Sequence, residues 1–167
     1  MTISRRVLLG GALAAPVLAG CSRRPQSLAY DGPPVTGIVV TKAARRMLLL
    51  SGRTVICEHR VDLGSNPVGP KRWEGDGRTP EGFYIVDKRN PKSQYHLSVG
   101  ISYPNAQDMA YAAALGRPPG GDIFFHGTPP DKPRGTDWTA GCMAVSNREI
   151  EEIYAMVRDG TPVWISP

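Results

Sequence analysis

Cysteine is scarce in this chain. Cys21, Cys57 and Cys142 are the whole supply, so if Cys21 is committed to another purpose the only internal bridge left to weigh is Cys57–Cys142. Long apolar runs are missing too. The stretch Val7–Ala19, loosened by Gly10, Gly11 and Pro16, falls short of the roughly 20 apolar residues a membrane-spanning helix needs. No run of Lys or Arg exceeds two residues and no aromatics interleave with them, which argues against nucleic-acid binding. Metal ligands are sparse: with 3 histidines in all, zinc would have to draw on Cys57, His59, His126 and Cys142. The Cys-x-His spacing does not match the common structural sites, so no metal site is expected. Internal repeats and a second shift of composition beyond Val35 are also lacking, which leaves one domain.

What is present begins with the leader MTISRRVLLGGALAAPVLAGC. A positive end at Arg5 and Arg6 followed by a short apolar core is the anatomy of an export signal. Ser4–Leu9 resembles a twin-arginine signal, and Leu18-Ala19-Gly20-Cys21 resembles a lipobox, in which Cys21 would be lipidated. The expected organisation is a signal peptide over 1–20, a lipidated N-terminus and Pro-rich linker over 21–34, and one folded domain over 35–167. This places the protein in the periplasm or cell envelope, touching the membrane only through its anchor. Loss of Arg5 and Arg6 takes the formal charge from +5 to +3, a mild excess that suits an anionic envelope polymer.

From Val35 the local signals favour strands. TGIVVTK, RMLLL, TVICEHR, GFYIVDKR, YHLSVGI, DIFFH and PVWIS are short apolar runs bounded by Gly, Pro, Asn and Asp, and SGR reads as a hairpin turn. The fold class expected is mainly β, a sandwich or barrel with a C-terminal helix and one other short helix. The short helix is Ala106–Leu115, ended by Gly116 and Pro118. The C-terminal helix starts after Ser146, where Ser146 and Glu149 form a capping-box pattern. Ile150, Ile153, Tyr154 and Val157 make its apolar stripe, and Gly160 with Pro162 is expected to stop it.

The chemistry centres on DIFFHGTPPDKPRGTDWTAGCMAVSN, Asp122–Asn147. His126 closes an apolar run and Cys142 follows sixteen residues later. An ordinary thiol is only a few per cent ionised at neutral pH, and a neighbouring imidazole remedies this by accepting the proton. The expectation is that folding brings Cys142 within proton-sharing range of His126, facing an open groove. Gly127 permits close approach, Thr128 and Thr139 are candidates to hold the second ring nitrogen, and Gly141 lets a carbonyl approach the thiol and offers an N–H to an oxyanion. The loop between, with three prolines, is stiff. Other readings stand beside these. His126 and Cys142 can be core residues, a Cys57–Cys142 disulfide would occupy the thiol, and GDGRTPEG can be only a tight turn. His59 and His96 are expected on strands as partly exposed bystanders. Trp73 and Trp138 can stack on a ligand or pack at the rim, and Arg78 and Arg134 can meet a substrate carboxylate or be solvated.

His126-Gly127-Thr128, the spacing to Cys142, and Thr139-Ala140-Gly141-Cys142-Met143 resemble the active-site signature of the bacterial L,D-transpeptidases, the YkuD-type catalytic domain. The Gly-rich Gly64–Gly82 segment with Thr-Pro-x-Gly, and SYPNAQD at 102–108, extend the likeness across the body, the latter toward a tethered branch. The resemblance implies a cysteine acyltransferase acting on peptidoglycan stem peptides. Cys142 would be the nucleophile and His126 its base. Gly127 would hold the imidazole through its carbonyl, and Gly141 and Cys142 would supply oxyanion N–H groups with Thr139 in support. Trp138, Arg134 and Arg78 are the candidate substrate contacts. The acceptor would be a diaminopimelate amine or a protein lysine; with water, the reaction becomes that of an amidase or carboxypeptidase. No cofactor is implied. Ala140 and Ala144 depart from the family, which often has His at the first position and Arg or Asn at the second. A wall-binding lipoprotein without turnover is the reading outside enzymes.

Overall fold

Alternation of apolar residues dictates the first half of the fold. The computed structural model describes residues 29–167; the expected leader, lipobox and Cys21 lie outside them. Ile38 and Val40 on β1 (Gly37–Thr41), Met47 and Leu49 on β2 (Arg46–Ser51), and Val163 and Ile165 on the last strand are each at most 1% exposed. Period-2 patterning of this kind buries one face of a sheet and leaves the other to solvent. β2 turns through Gly52, at φ +58, into β3 (Thr54–Arg60), the hairpin that SGR predicts.

Further strands are β4 (Gly82–Asn90), β5 (Ser98–Ile101), β6 (Phe124–His126), β7 (Met143–Ala144) and β8 (Pro162–Ser166). They form one 8-stranded sheet in the order β3-β2-β1-β8-β4-β5-β6-β7. Its two ends approach each other. Just beyond β3, Asp62 pairs with Ala144 and Gly64 with Thr139, through Asp62 N to Ala144 O and the reverse, both 2.8 Å. The sheet is therefore curled nearly shut, and the core fills its concave side with Tyr84, Phe125, Leu63, Ile101 and Met143 among others. The mainly β expectation holds.

Two helices accompany the sheet. α1 (Ala106–Ala114) is capped by Asn105, whose side chain accepts from the Gln107 and Asp108 N–H groups while Asp108 returns a bond to the cap. Asp108 also accepts the Tyr84 hydroxyl at 2.9 Å, which ties α1 to β4. α2 (Asn147–Met156) carries the capping box read from Ser146 and Glu149. Ile150, Ile153 and Val157 are buried as the stripe requires. Its end differs from expectation: Val157 is already extended, at φ −89 and ψ 141, and Gly160 belongs to a separate turn at φ +86. The reason is that Val157 follows the core surface rather than the helix axis, leaving Gly160 to redirect the chain into β8.

Gly64–Gly82 is more than a tight turn. Asp76, buried with Lys71 in an ion pair of 3.0 Å, accepts from the backbone N–H groups of Arg72, Trp73 and Arg78. Burial works against the carboxylate's charge, but these donors prevail and hold it below the ordinary range. Lys42, itself buried, reaches the same segment through the carbonyls of Gly69 and Thr79 and the carboxylate of Glu81. A Cβ on Gly64 would meet the Gly77 carbonyl oxygen at 2.1 Å, so glycine there lets the two ends of the segment touch. The segment becomes a rigid shelf beside residues 139–142, linked to them by Ser65 N to Thr139 O at 2.9 Å.

Candidate active site

β6 ends on His126 because the strand pairs on both edges: with β5, where Ser98 stands opposite His126, and with β7, where Ala144 does. The ring is enclosed by aromatics. Tyr95 stacks on it with centroids 4.5 Å apart, and Trp138 meets it edge-on at 5.6 Å. His126 Nδ1 lies 2.7 Å from the carbonyl oxygen of Gly127. A carbonyl only accepts, so Nδ1 carries the hydrogen and the neutral ring keeps its lone pair on Nε2. Burial holds the imidazole's pKa below its ordinary value, a pull the Gly127 carbonyl only partly offsets. Gly127 is tightly placed as well: its N–H donates to Tyr95 O at 3.0 Å, and a Cβ would meet Asn147 Oδ1 at 2.3 Å.

Cys142 sits at the tip of the turn entering β7. Thr139 shapes that turn, its hydroxyl donating to Cys142 O at 2.8 Å and accepting the Gly141 N–H at 3.1 Å. Neither Thr128 nor Thr139 holds the imidazole: Thr128 donates to Val145 O at 2.7 Å. Gly141 stands at φ +135, with the Arg78 carbonyl 2.6 Å from where a Cβ would be. The Gly-rich shelf thus presses directly against the turn that carries Cys142. Because the Gly141 N–H is taken by Thr139, the oxyanion role expected of it needs a donor that is not already engaged. The Cys142 N–H meets that condition, having no acceptor among the described residues.

His126 and Cys142 line one groove of about 500 Å³ with Tyr95, Ser98, Asp122 and Phe124. That volume suits a small ligand or a peptide segment. The direct thiol–imidazole hydrogen bond is not formed. The Cys142 thiol donates instead to the Asp122 carbonyl, at 3.4 Å. Burial raises the thiol's pKa, moderated by the Phe124 N–H. Both groups are therefore neutral at rest, and a neutral thiol takes the nearest carbonyl. Catalytic hydrogen bonds are often loose before substrate arrives.

Of the other residues read from the sequence, Trp138 reaches the site by packing on His126, with its indole N–H buried and unpaired. Arg78 contributes backbone to the shelf and likewise has a buried unpaired Nε. Arg134 lies elsewhere, bonded to Glu149 at 3.1 Å and Arg60 O at 3.4 Å. None of these three side chains lines the groove. Cys57 and Cys142 are both free thiols, which removes the disulfide reading. His59 is not a bystander: it is 4% exposed and 3.1 Å from Cys57 Sγ, because its strand face turns under α2. His96 precedes β5 in a left-handed conformation, φ +73, and pairs with Glu151 at 2.7 Å.

Tyr95 and Asp122 are the site residues the sequence reading missed. Tyr95 had a faint signal, an aromatic next to a histidine before a strand. Asp122, at φ +54, followed Gly120-Gly121 with nothing to mark its carbonyl as the thiol's partner.

A family model for the L,D-transpeptidase catalytic domain matches residues 36–165. The chain belongs to this family. The L,D-transpeptidase domain is 34% identical over 101 residues to YafK of Escherichia coli (strain K12), itself provisionally named an L,D-transpeptidase; the match covers 59% of this chain and 36% of YafK. Among solved structures it resembles the helical cell shape determining protein Pgp2 from Campylobacter jejuni, at TM-score 0.63 and 26% identity over 80% of this chain and 48% of that one. It shares its fold with an L,D-transpeptidase from Xylanimonas cellulosilytica, at TM-score 0.53 and 15% identity over 82% of this chain and 63% of that one. The chain thus spans about a third of YafK and about half of Pgp2. No described helix is long and apolar enough to cross a membrane.

Proposed function

We propose that this L,D-transpeptidase domain acts on peptidoglycan stem peptides through a thioester on Cys142. The observation that carries the reading is the single groove holding the Cys142 thiol and an imidazole fixed, through Gly127, with its basic nitrogen free. In the acylation step Cys142 Sγ bonds to the carbonyl carbon of the diaminopimelate residue and the thiol proton passes to His126 Nε2. The oxyanion is met by the Cys142 N–H. D-Alanine leaves as the amine, taking that proton. In the second step an acceptor amine, from another diaminopimelate or a protein lysine, attacks the thioester and gives its proton back through His126. The expected leader and Cys21 anchor would hold the domain at the envelope, where such peptides are, and the likeness to Pgp2, a helical cell shape determining protein, supports a part in setting cell shape.

Incubating the protein with purified disaccharide tetrapeptides and weighing the products tests this. Dimers joined through two diaminopimelates, with D-alanine released, are the expected outcome. Shortened monomers alone would mean water is the acceptor, and unchanged substrate retained by the protein would mean a binding module.

The neutral resting pair also fixes a pH dependence. The imidazole's lowered pKa keeps it a base below about 6.5, so kcat/KM should hold its plateau there and fall only at lower pH. Burial raises the thiol's pKa above its ordinary value. Alkylation of Cys142 by iodoacetamide without substrate should therefore be slow at neutral pH and keep rising with pH past the ordinary thiol value of about 8.5 before it levels off. A fast alkylation plateau at pH 6 to 7 would instead indicate a preformed thiolate–imidazolium pair.

A further inference from the structure

A second cluster of reactive side chains lies outside the groove, where β3 passes under α2. Cys57 and His59 are two residues apart on β3 and share a face. Glu149 and Glu152 are three apart on α2, and so share a face too. Cys57 Sγ is 3.1 Å from His59 Nε2, and the ligand atoms of Cys57, His59 and Glu152 all lie within 4.8 Å of one another. The far side of the imidazole, Nδ1, faces Glu149 Oε1 at 3.6 Å.

From this juxtaposition we propose that Cys57, His59 and Glu152 form a site for a zinc-like divalent cation, with Glu149 as the outer carboxylate that orients His59. The donor set is one soft thiolate, one imidazole and one carboxylate, which suits Zn²⁺ or Co²⁺ rather than Mg²⁺ or Ca²⁺. Charge balances: thiolate and carboxylate neutralise the dication, and Cys57 releases its proton as the metal–sulfur bond forms. Tetrahedral bonds of about 2.3 Å to sulfur and 2.0–2.1 Å to nitrogen separate those atoms by about 3.6 Å, so the pair need open by only about half an ångström. The carboxylate–histidine arrangement on the opposite ring nitrogen is the usual support for a metal-bound imidazole.

Glu149 is itself well held. Its carboxylate accepts the Ser146 N–H at 2.7 Å and pairs with Arg134 at 3.1 Å. The site costs little to fill. Glu152 gives up only an exposed ion pair with Arg148 at 3.3 Å, a kind of surface contact that adds little to stability. Three protein ligands leave a fourth position for water. The metal would clamp the end strand of the sheet to the helix that directly follows β7. This inference does not depend on the reaction assigned to Cys142.

Cobalt titration of the full, reduced and metal-free protein tests it. Wild type should take up one equivalent of Co²⁺, develop a thiolate-to-cobalt charge-transfer band in the near ultraviolet, and lose that band when Zn²⁺ is added. Cys57→Ser should lack the band while Cys142→Ser keeps it. Glu152→Gln, a change at the surface, should weaken Co²⁺ binding by about tenfold or more with an unchanged circular dichroism spectrum. No band in wild type at saturating Co²⁺ would overturn the proposal. So would a band that vanishes in Cys142→Ser and survives in Cys57→Ser, or equal affinity in Glu152→Gln.

Discussion

Replacing Cys142 with alanine is expected to lower turnover of tetrapeptide substrates by at least about 10³-fold, whereas Cys57→Ala should leave it near wild type. The contrast is informative because contact distance alone favours the wrong thiol. Cys57 touches an imidazole at 3.1 Å, while Cys142 bonds to a carbonyl. Three features reverse the ranking. Cys142 faces a groove shared with His126 and Cys57 does not line it. Cys142 has its own N–H unengaged where an oxyanion would form, and Gly141 before it clears a path to the sulfur. Burial disfavours both thiolates, but Cys57 is opposed in addition by two carboxylates, Glu152 and Glu149, whereas the one near Cys142, Asp122, is countered by Lys71. Steady-state product formation by both variants, with far-ultraviolet circular dichroism as a check on folding, decides the matter. Full loss in Cys57→Ala with a native spectrum would transfer the chemistry to β3.

Gly141→Ala should give the second-largest loss without touching a reacting atom. At φ +135 an L side chain is strained, and the new Cβ would lie 2.6 Å from the Arg78 carbonyl and 3.3 Å from Ile123 Cδ1. The first neighbour is backbone on the Asp76-stapled shelf and has little room to yield. The turn itself must move, carrying the Cys142 thiol and N–H with it. A displacement near 1 Å at a reacting group costs about 100-fold in rate, while the backbone strain costs about 1–3 kcal/mol of stability. The expected pattern is a fall in kcat of about that size with a smaller change in KM and a folded protein in thermal melts. An unaltered kcat would show that the shelf does not set the geometry of the nucleophile.

The sequence made some of this legible and left the rest to tertiary contact. Strands with clean alternation, such as Gly37–Thr41, and the Ser146–Glu149 cap were readable because their signals are local. His126 and Cys142 were readable because residue type, spacing and flanking glycines coincide, and both reach one groove. The end of α2 was not, since Val157 leaves the helix for the core before Gly160 can act. His59 was misjudged because a strand residue's exposure depends on what lies over it, and α2 comes from 90 residues further along the chain. The thiol's bond to Asp122 could not be read from composition: any residue supplies a carbonyl, and only the fold determines which one is near.

The central claim is that Cys142 is the residue acylated. Incubate the protein with a carbapenem, which the family resemblance predicts will acylate it, then digest and map the adduct by mass spectrometry. The account predicts one added carbapenem mass per chain, on the peptide containing Cys142, and none in Cys142→Ser. An adduct on the peptide containing Cys57, or one that persists in Cys142→Ser, would contradict it.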